Sequence, residues 1–228
     1  VLAIFYKGKN VTCNVCDHQF RKFLPYGRKA RENALCPNCL ALERHRLMWL
    51  FLQERTNFFT SQLMVLHIAP ELCFIDRMDS LSNLEYITGD IESPLAKVKL
   101  DVHQIPFEDN SYDVILCNHV LEHIPDDTKA MQELYRVLKP GGMGIFQIPQ
   151  DLSRATTFSD DSITDEKERA KIFGQYDHVR IYGLDYFDKL RSIGFKVTEE
   201  DYTAKLAPEL VEKYCLAKGE IIPVCYKN

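Results

Sequence analysis

The stretch Tyr112-Asp-Val-Ile-Leu-Cys-Asn-His-Val-Leu-Glu-His-Ile-Pro-Asp-Asp-Thr-Lys-Ala-Met-Gln-Glu-Leu-Tyr-Arg-Val-Leu-Lys-Pro-Gly-Gly142 decides the fold. It opens on Tyr112–Asn118, whose apolar centre suits a strand buried on both faces. It continues into Asp126–Leu138, a helical segment with acidic residues at its start and Lys139-Pro140-Gly141-Gly142 at its stop. The alternation extends outward. Leu63–Ile68, Leu84–Thr88 (running into Gly89-Asp90), Val98–Val102 and Gly144–Ile148 read as further strands with helical stretches between them. Later, Asp185–Ser192 reads as an amphipathic helix, and Gly194–Thr198 and Ile221–Tyr226 as the last two strands. Such alternation requires crossovers, so the spacing predicts an α/β fold with a doubly wound sheet covered on both faces. Ligands of such sheets bind beyond the carboxyl ends of the strands. The residues to watch are therefore His67–Glu71, Asp90, Asp101, Asn118 and His119.

Ahead of this body stand two knuckles, Cys13-Asn-Val-Cys16 and Cys36-Pro-Asn-Cys39, separated by nineteen residues. This spacing fits a four-cysteine structural zinc site. Each turn aims two thiolates at one ion, and metal binding folds a segment too small to fold alone. Four ligands close the coordination shell, so the zinc is expected to be structural. Residues 1–60 carry ten Lys/Arg and four Asp/Glu, or +6, whereas the rest of the chain carries eighteen and twenty-nine, or −11. Arg21, Lys22, Arg28, Lys29 and Arg31 alternate with Phe20, Phe23 and Tyr26, a pattern that grips phosphates and stacks bases or simply surrounds a small aromatic core. A helix is expected from Leu40 to about Glu54. The expected domains are a zinc ribbon at 1–45, a linking helix and boundary at 46–61, and the α/β body at 62–228.

With 228 residues, 46% hydrophobic and 27% charged, the chain has the balance of a globular protein that needs no disulfide staples. No apolar run approaches the roughly 18 residues of a membrane span. The four remaining cysteines, Cys73, Cys117, Cys215 and Cys225, read as buried thiols. With no secretory leader visible, a cytoplasmic protein without membrane partners is expected.

Four segments together resemble the class I S-adenosylmethionine-dependent methyltransferases of the small-molecule "type 11" kind. They are Asp101–Phe107, Asp109–Ile115, Asn118–Ile124 and Glu133–Gly142. The resemblance covers about residues 62–228 and implies a Rossmann-like methyltransferase sheet with S-adenosylmethionine as cofactor. It implies that Asp90 accepts both ribose hydroxyls, suiting a carboxylate's two acceptor oxygens. It implies that Asp101 accepts from the adenine amine beside Val102, and that Asn118 and His119 sit near the methionine end. The sequence departs from the family after the first strand. Where a glycine-rich loop is usual, it reads His67-Ile68-Ala69-Pro70-Glu71. Ala69 is small enough to keep part of the close backbone approach, Pro70 suits the start of a helix, and Glu71 would lie near the sulfonium or amine.

His119-Val-Leu-Glu122-His123 also matches an inverted zinc-protease motif, but the resemblance accounts for Glu122-His123 without metal, and Pro125 leaves room only for a very short helix. After the fifth strand comes a long polar segment in which Ser162 or Thr164 is expected to cap a helix through Lys171. Phe173–Gly183 then concentrates polar and aromatic groups, as lids over acceptor pockets do. There His178, with Asp177, is the candidate base. Arg180 is the candidate clamp for a substrate carboxylate or phosphate, and Tyr176 and Tyr182 the candidate pocket walls. The acceptor is expected to be a small molecule. Two alternatives stand beside it: an RNA methyltransferase gripping RNA through the basic ribbon, and a non-catalytic zinc-ribbon adaptor.

Overall fold

A computed structural model describes residues 2–228. In chain order its elements are α1 (Leu2–Phe5), β1 (Lys7–Cys13), β2 (His18–Phe20), β3 (Leu24–Tyr26), β4 (Arg31–Leu35), α2 (Glu43–Arg55), β5 (Leu63–Ile68), α3 (Leu72–Asp79), β6 (Leu84–Asp90), β7 (Val98–Lys99), β8 (Tyr112–Cys117), α4 (Asp127–Val137), β9 (Leu138–Ile145), β10 (Phe158–Ser159), α5 (Glu166–Ile172), β11 (Arg180–Ile181), α6 (Tyr186–Ile193), β12 (Lys196–Glu200), α7 (Pro208–Tyr214) and β13 (Ile222–Tyr226). Among the described residues no helix is long and apolar enough to cross a membrane. The chain divides into two compact units. One holds the chain up to Gln62 with Glu71–Leu84 and Glu200–Ile222, and the other holds Leu63–Pro70, Glu85–Glu199 and Pro223–Asn228.

The second unit is built on a seven-stranded sheet in the order β12-β13-β9-β8-β5-β6-β7. Strands β5 and β8 run parallel with Val65 beside Val114 and Ile68 beside Cys117, β8 and β9 are parallel, and β13 is antiparallel to β9. The central strands are apolar on both faces because helices flank such sheets on both sides. Helix α4 starts where Asp126 accepts a hydrogen bond from the Lys129 amide at 2.9 Å, and it buries Ala130, Met131, Leu134 and Val137 along one stripe. Strand β9 begins at Leu138, earlier than the sequence suggests, so Lys139-Pro140-Gly141-Gly142 lies within a strand. Gly141 takes φ +76° there and donates to the Lys227 carbonyl at 2.7 Å. The third strand is shorter than expected, Val98–Lys99 only, because residues 101–104 turn back in an Asp101–Gln104 bridge.

The charged residues of the family-like segments fasten this sheet together. Asp113 accepts from the Met64 amide at 2.8 Å and from Lys139 Nζ at 2.9 Å. Arg136 binds Glu133 and Asp109 and donates to the carbonyls of Ile105 and Phe107, and Glu133 accepts from the Ile105 amide. This network fixes the loop that carries Asp101. Helix α5 is capped by Asp165, whose carboxylate accepts from the amides of Lys167 and Glu168. Ser162 and Thr164, the expected caps, lie too far upstream.

The first unit combines two small hairpins, β1–β2 and β3–β4, with α1, α2, α3 and α7. Helix α2 begins at Glu43 and buries eight consecutive residues, His45–Leu52, so it has no solvated face and is a core helix. Trp49 stacks on Phe74 of α3 at 5.7 Å, and Phe51 meets Tyr202 edge-on at 5.5 Å. At its centre the fully buried Arg46 donates to five backbone carbonyls, those of Asn33, Ala34, Ala41, Tyr214 and Cys215.

Candidate functional site

The first unit gathers the four knuckle cysteines. Cys13 Sγ lies 3.6 Å from Cys39 Sγ, Cys16 Sγ lies 3.7 Å from Cys36 Sγ, and all four sulfurs fall within 4.8 Å of one another without a disulfide. A tetrahedral zinc with sulfur at about 2.3 Å sets the sulfurs about 3.8 Å apart. The residues following each knuckle, Asp17 and Leu40, both take left-handed φ values, 59° and 64°, so the two turns share one geometry. Hydrogen bonding among the sulfurs pulls the Cys16 and Cys36 thiols down and pushes Cys13 and Cys39 up. Four sulfurs this close offer the donor set of a tetrahedral metal ion. Arg31, between the knuckles in the sequence, is committed to Glu43 at 2.9 and 3.2 Å.

In the second unit, strand order reverses at β5 and β8, the switch point where doubly wound sheets bind ligands. Two non-glycine residues take left-handed backbone just beyond the carboxyl ends of these strands, Ala69 at φ +49° and His119 at φ +54°. The Ala69 amide donates to the Gly89 carbonyl at 2.9 Å, and the His119 amide to the Gln147 carbonyl at 2.7 Å. Strain of this kind costs about 1 kcal/mol or more per residue and collects at functional sites. Two positions at the switch point thus take a backbone conformation that favours glycine, although neither is glycine. Replacing Ala69 with glycine is expected to stabilise the protein by about 0.5–1 kcal/mol, read as a higher urea midpoint. A lower midpoint would mean that the left-handed turn carries no strain.

The expected cofactor residues divide. Asp90 uses Oδ1 to accept the amides of Glu92 and Ser93 at 2.8 and 2.7 Å, which holds its carboxylate at the end of β6. Asp101 accepts the amide and ring nitrogen of His103, both at 2.8 Å, and the His103 amide holds its pKa below the ordinary value. It stands half exposed and borders a cavity of about 650 Å³ with Lys99, Gln104, Glu133 and Arg136. Val102 is buried. Asn118 is also buried and accepts from the Gln147 amide at 3.2 Å. His67 is corrected: its ring is fully buried, 2.7 Å from the Tyr86 hydroxyl, and it serves the core. Pro70 closes the strand-end turn, and Glu71 belongs to the first unit, 3.8 Å from His45.

The segment after β8 and the segment before β11 meet. The Val179 amide donates to the Glu122 carbonyl at 2.9 Å, and the His123 and His178 rings contact edge to face at 4.7 Å. His178 is buried, and that burial pushes its pKa below the ordinary value, so its imidazole is neutral. Asp177 lies 3.3 Å from His123 rather than pairing with His178. Tyr176 is exposed. Two assignments are corrected. Arg180 is buried against Asp127 at 2.9 Å and donates to the carbonyls of Leu121 and Pro125, so it tethers this segment and is not open to a substrate anion. Tyr182 is fully buried and donates to Asp127 at 2.8 Å, so it is no pocket wall. The sequence reading missed Glu122 and Gln147. Glu122 Oε2, Gln147 Nε2 and His119 Nε2 are buried without hydrogen bonds. Buried polar atoms of this kind mark the place of a ligand, an ion or water.

Residues 56–146 match the family model described as a methyltransferase domain, of type 11. Demethylmenaquinone methyltransferases of Staphylococcus epidermidis and Staphylococcus aureus are 38% identical to this chain over 64 and 69 residues. The first alignment covers 28% of this chain and 22% of the relative, and the second 29% of each. The chain thus spans under a third of these curated relatives. Among solved structures, an S-adenosylmethionine-dependent methyltransferase from Mesorhizobium loti superposes with TM-score 0.51 at 12% identity over 79% of this chain and 98% of its own. The [4+2]-cyclase SpnF superposes with TM-score 0.54 at 14% identity over 94% of this chain and 90% of its own. These likenesses show the fold, and the cyclase among them shows that one fold serves more than one reaction. Residues 56–146 thus match the methyltransferase-domain family, in a chain whose four clustered cysteines fit a zinc-ribbon module.

Proposed function

We propose that this chain transfers a methyl group from S-adenosylmethionine to a small-molecule acceptor, and that its four cysteines hold one structural zinc ion. The observation that carries the reading is the pair of left-handed residues, Ala69 and His119, at the ends of adjacent strands in a stretch that matches the methyltransferase family. They keep the close backbone approach that a cofactor needs where the sequence lacks glycine. When bound, the cofactor supplies an electrophilic methyl on a sulfonium. Asp90 would accept from the ribose and Asp101 from the adenine amine, while Asn118 and His119 would border the methionine end. His178 is buried, and burial disfavours its charged form. The acidic charge of residues 61–228, −11, favours a small acceptor over a nucleic acid. The relatives' substrate is not carried over, because they align with under a third of this chain.

Calorimetric titration with S-adenosylhomocysteine tests the reading. Micromolar binding is expected, weakened about 10- to 100-fold by Asp101→Asn, the effect of losing a charged hydrogen bond of about 1.5–3 kcal/mol. The variant keeps an acceptor for the His103 amide, so the turn survives. A wild-type protein that ignores S-adenosylhomocysteine would replace this reading with the non-catalytic adaptor.

A further inference from the structure

We propose that Glu122, His123 and His178 form a second metal site, for a divalent ion with open coordination positions, at the carboxyl edge of the sheet. One ligand atom from each residue lies within 4.8 Å of the other two. Ligands at about 2.1 Å from an ion stand about 3.0–3.4 Å apart when adjacent and about 4.2 Å apart when opposite, so small side-chain rotations close the site. The three groups come from two segments that the structure already joins, through the Val179 amide on the Glu122 carbonyl.

Three observations point to a cation. Glu122 is 1% exposed; its Oε1 lies 3.3 Å from His119 Nδ1, and its Oε2 has no hydrogen-bond partner. A buried carboxylate oxygen left unpaired costs free energy that a bound cation would remove. His123 carries its own outer partner, since Nδ1 lies 3.3 Å from Asp177 Oδ2. A carboxylate behind a histidine fixes its ring and tautomer and leaves the far nitrogen for metal. His178 Nε2 faces the amide nitrogen of Gln175 at 2.9 Å, so that nitrogen presents a lone pair. Its partner is an exposed side chain that can turn away.

The donor set differs in kind from the cysteine quartet. Two imidazoles and one carboxylate suit manganese, iron or zinc, and three ligands leave positions for water or for oxygens of a second molecule. His119 and His123 have the spacing of a zinc-binding histidine pair, yet the fold pairs His123 with His178. The turn at Leu121–His123 is a single 3-10 turn, and His119 lies outside it. The site follows Asn118 and His119 directly in the chain, which places an ion where the acceptor would enter. That last step rests on the methyltransferase reading; the metal site itself does not.

The test uses the zinc-loaded full chain and manganese(II), which does not compete for four thiolates. Loss of the free-ion paramagnetic resonance signal should show one manganese bound per chain. Glu122→Gln and His178→Gln should each weaken binding at least tenfold. Acetohydroxamate, a bidentate oxygen donor, should alter the spectrum of the bound ion by filling its open positions. No binding beyond the zinc, or binding indifferent to both variants, overturns the proposal. A spectrum indifferent to acetohydroxamate overturns the open positions. Should a variant unfold, the wild-type stoichiometry still decides, because a chain without this site takes up no manganese. S-adenosylhomocysteine binding, measured in parallel, separates the readings: manganese bound without it keeps the metal site and removes the methyltransferase reading, and the reverse removes only the metal site.

Discussion

Arg46→Met is expected to destabilise the first unit by about 3–5 kcal/mol, the cost of breaking a buried, charged network. The guanidinium is fully buried, spreads its donors over five carbonyls and lies 4.4 Å from the Phe23 ring. Methionine fills much of the volume, so the loss is one of hydrogen bonding. Each carbonyl left unpaired in the interior costs about 1–3 kcal/mol. Burial pulls the pKa of Arg46 down, and the thiols of Cys13 and Cys36 oppose that pull. Arg46→Lys keeps the charge but not the planar fork, so it should recover only part of the loss. Hydrogen exchange of residues 2–62 gives the measurement. A change below about 1 kcal/mol would mean that the carbonyls find other partners and that Arg46 is not the keystone of this unit.

Cys36→Ser should have an effect at least as large, because the apparent zinc contribution in small cysteine modules reaches about 10–16 kcal/mol. Elemental analysis is expected to give one zinc per wild-type chain and almost none in the variant. The variant should also become protease-sensitive between β1 and β4. A strong chelator should reproduce this in the wild type. Zinc content unchanged in the variant would sink the four-ligand assignment. Because Arg46 and the Cys36 amide share the Ala41 carbonyl, the two substitutions should fall short of additivity when combined.

The sheet was legible in the sequence because parallel strands buried on both faces leave long apolar runs such as Val114–Cys117. The helix over Asp127–Val137 was legible because it is amphipathic and capped. The cysteine quartet was legible because two Cys-x-x-Cys turns are local in the sequence. What escaped the sequence depends on distant contacts. Arg180 and Tyr182 read as substrate groups because nothing local shows Asp127 meeting them across more than fifty residues. His67 read as a site residue because it ends an apolar strand, and only the fold shows Tyr86 against its ring. Helix α2 read as a connector, yet eight buried residues in a row are the mark of a core helix. The left-handed turn at Ala69 was hidden because alanine does not announce positive φ as glycine does.

The carbonyls that hold Arg46 include those of Tyr214 and Cys215, 168 and 169 residues further along the chain. During synthesis at roughly 5–20 residues per second, about ten to thirty seconds pass between the appearance of the arginine and that of these partners. The surroundings of Arg46 are therefore completed long after the arginine itself is made. Until residues 214 and 215 are made and reach it, Arg46 lacks two of its five carbonyl partners. Zinc held by the knuckles would limit how far that unfinished unit strays, and cells short of zinc should accumulate it as nascent-chain aggregates.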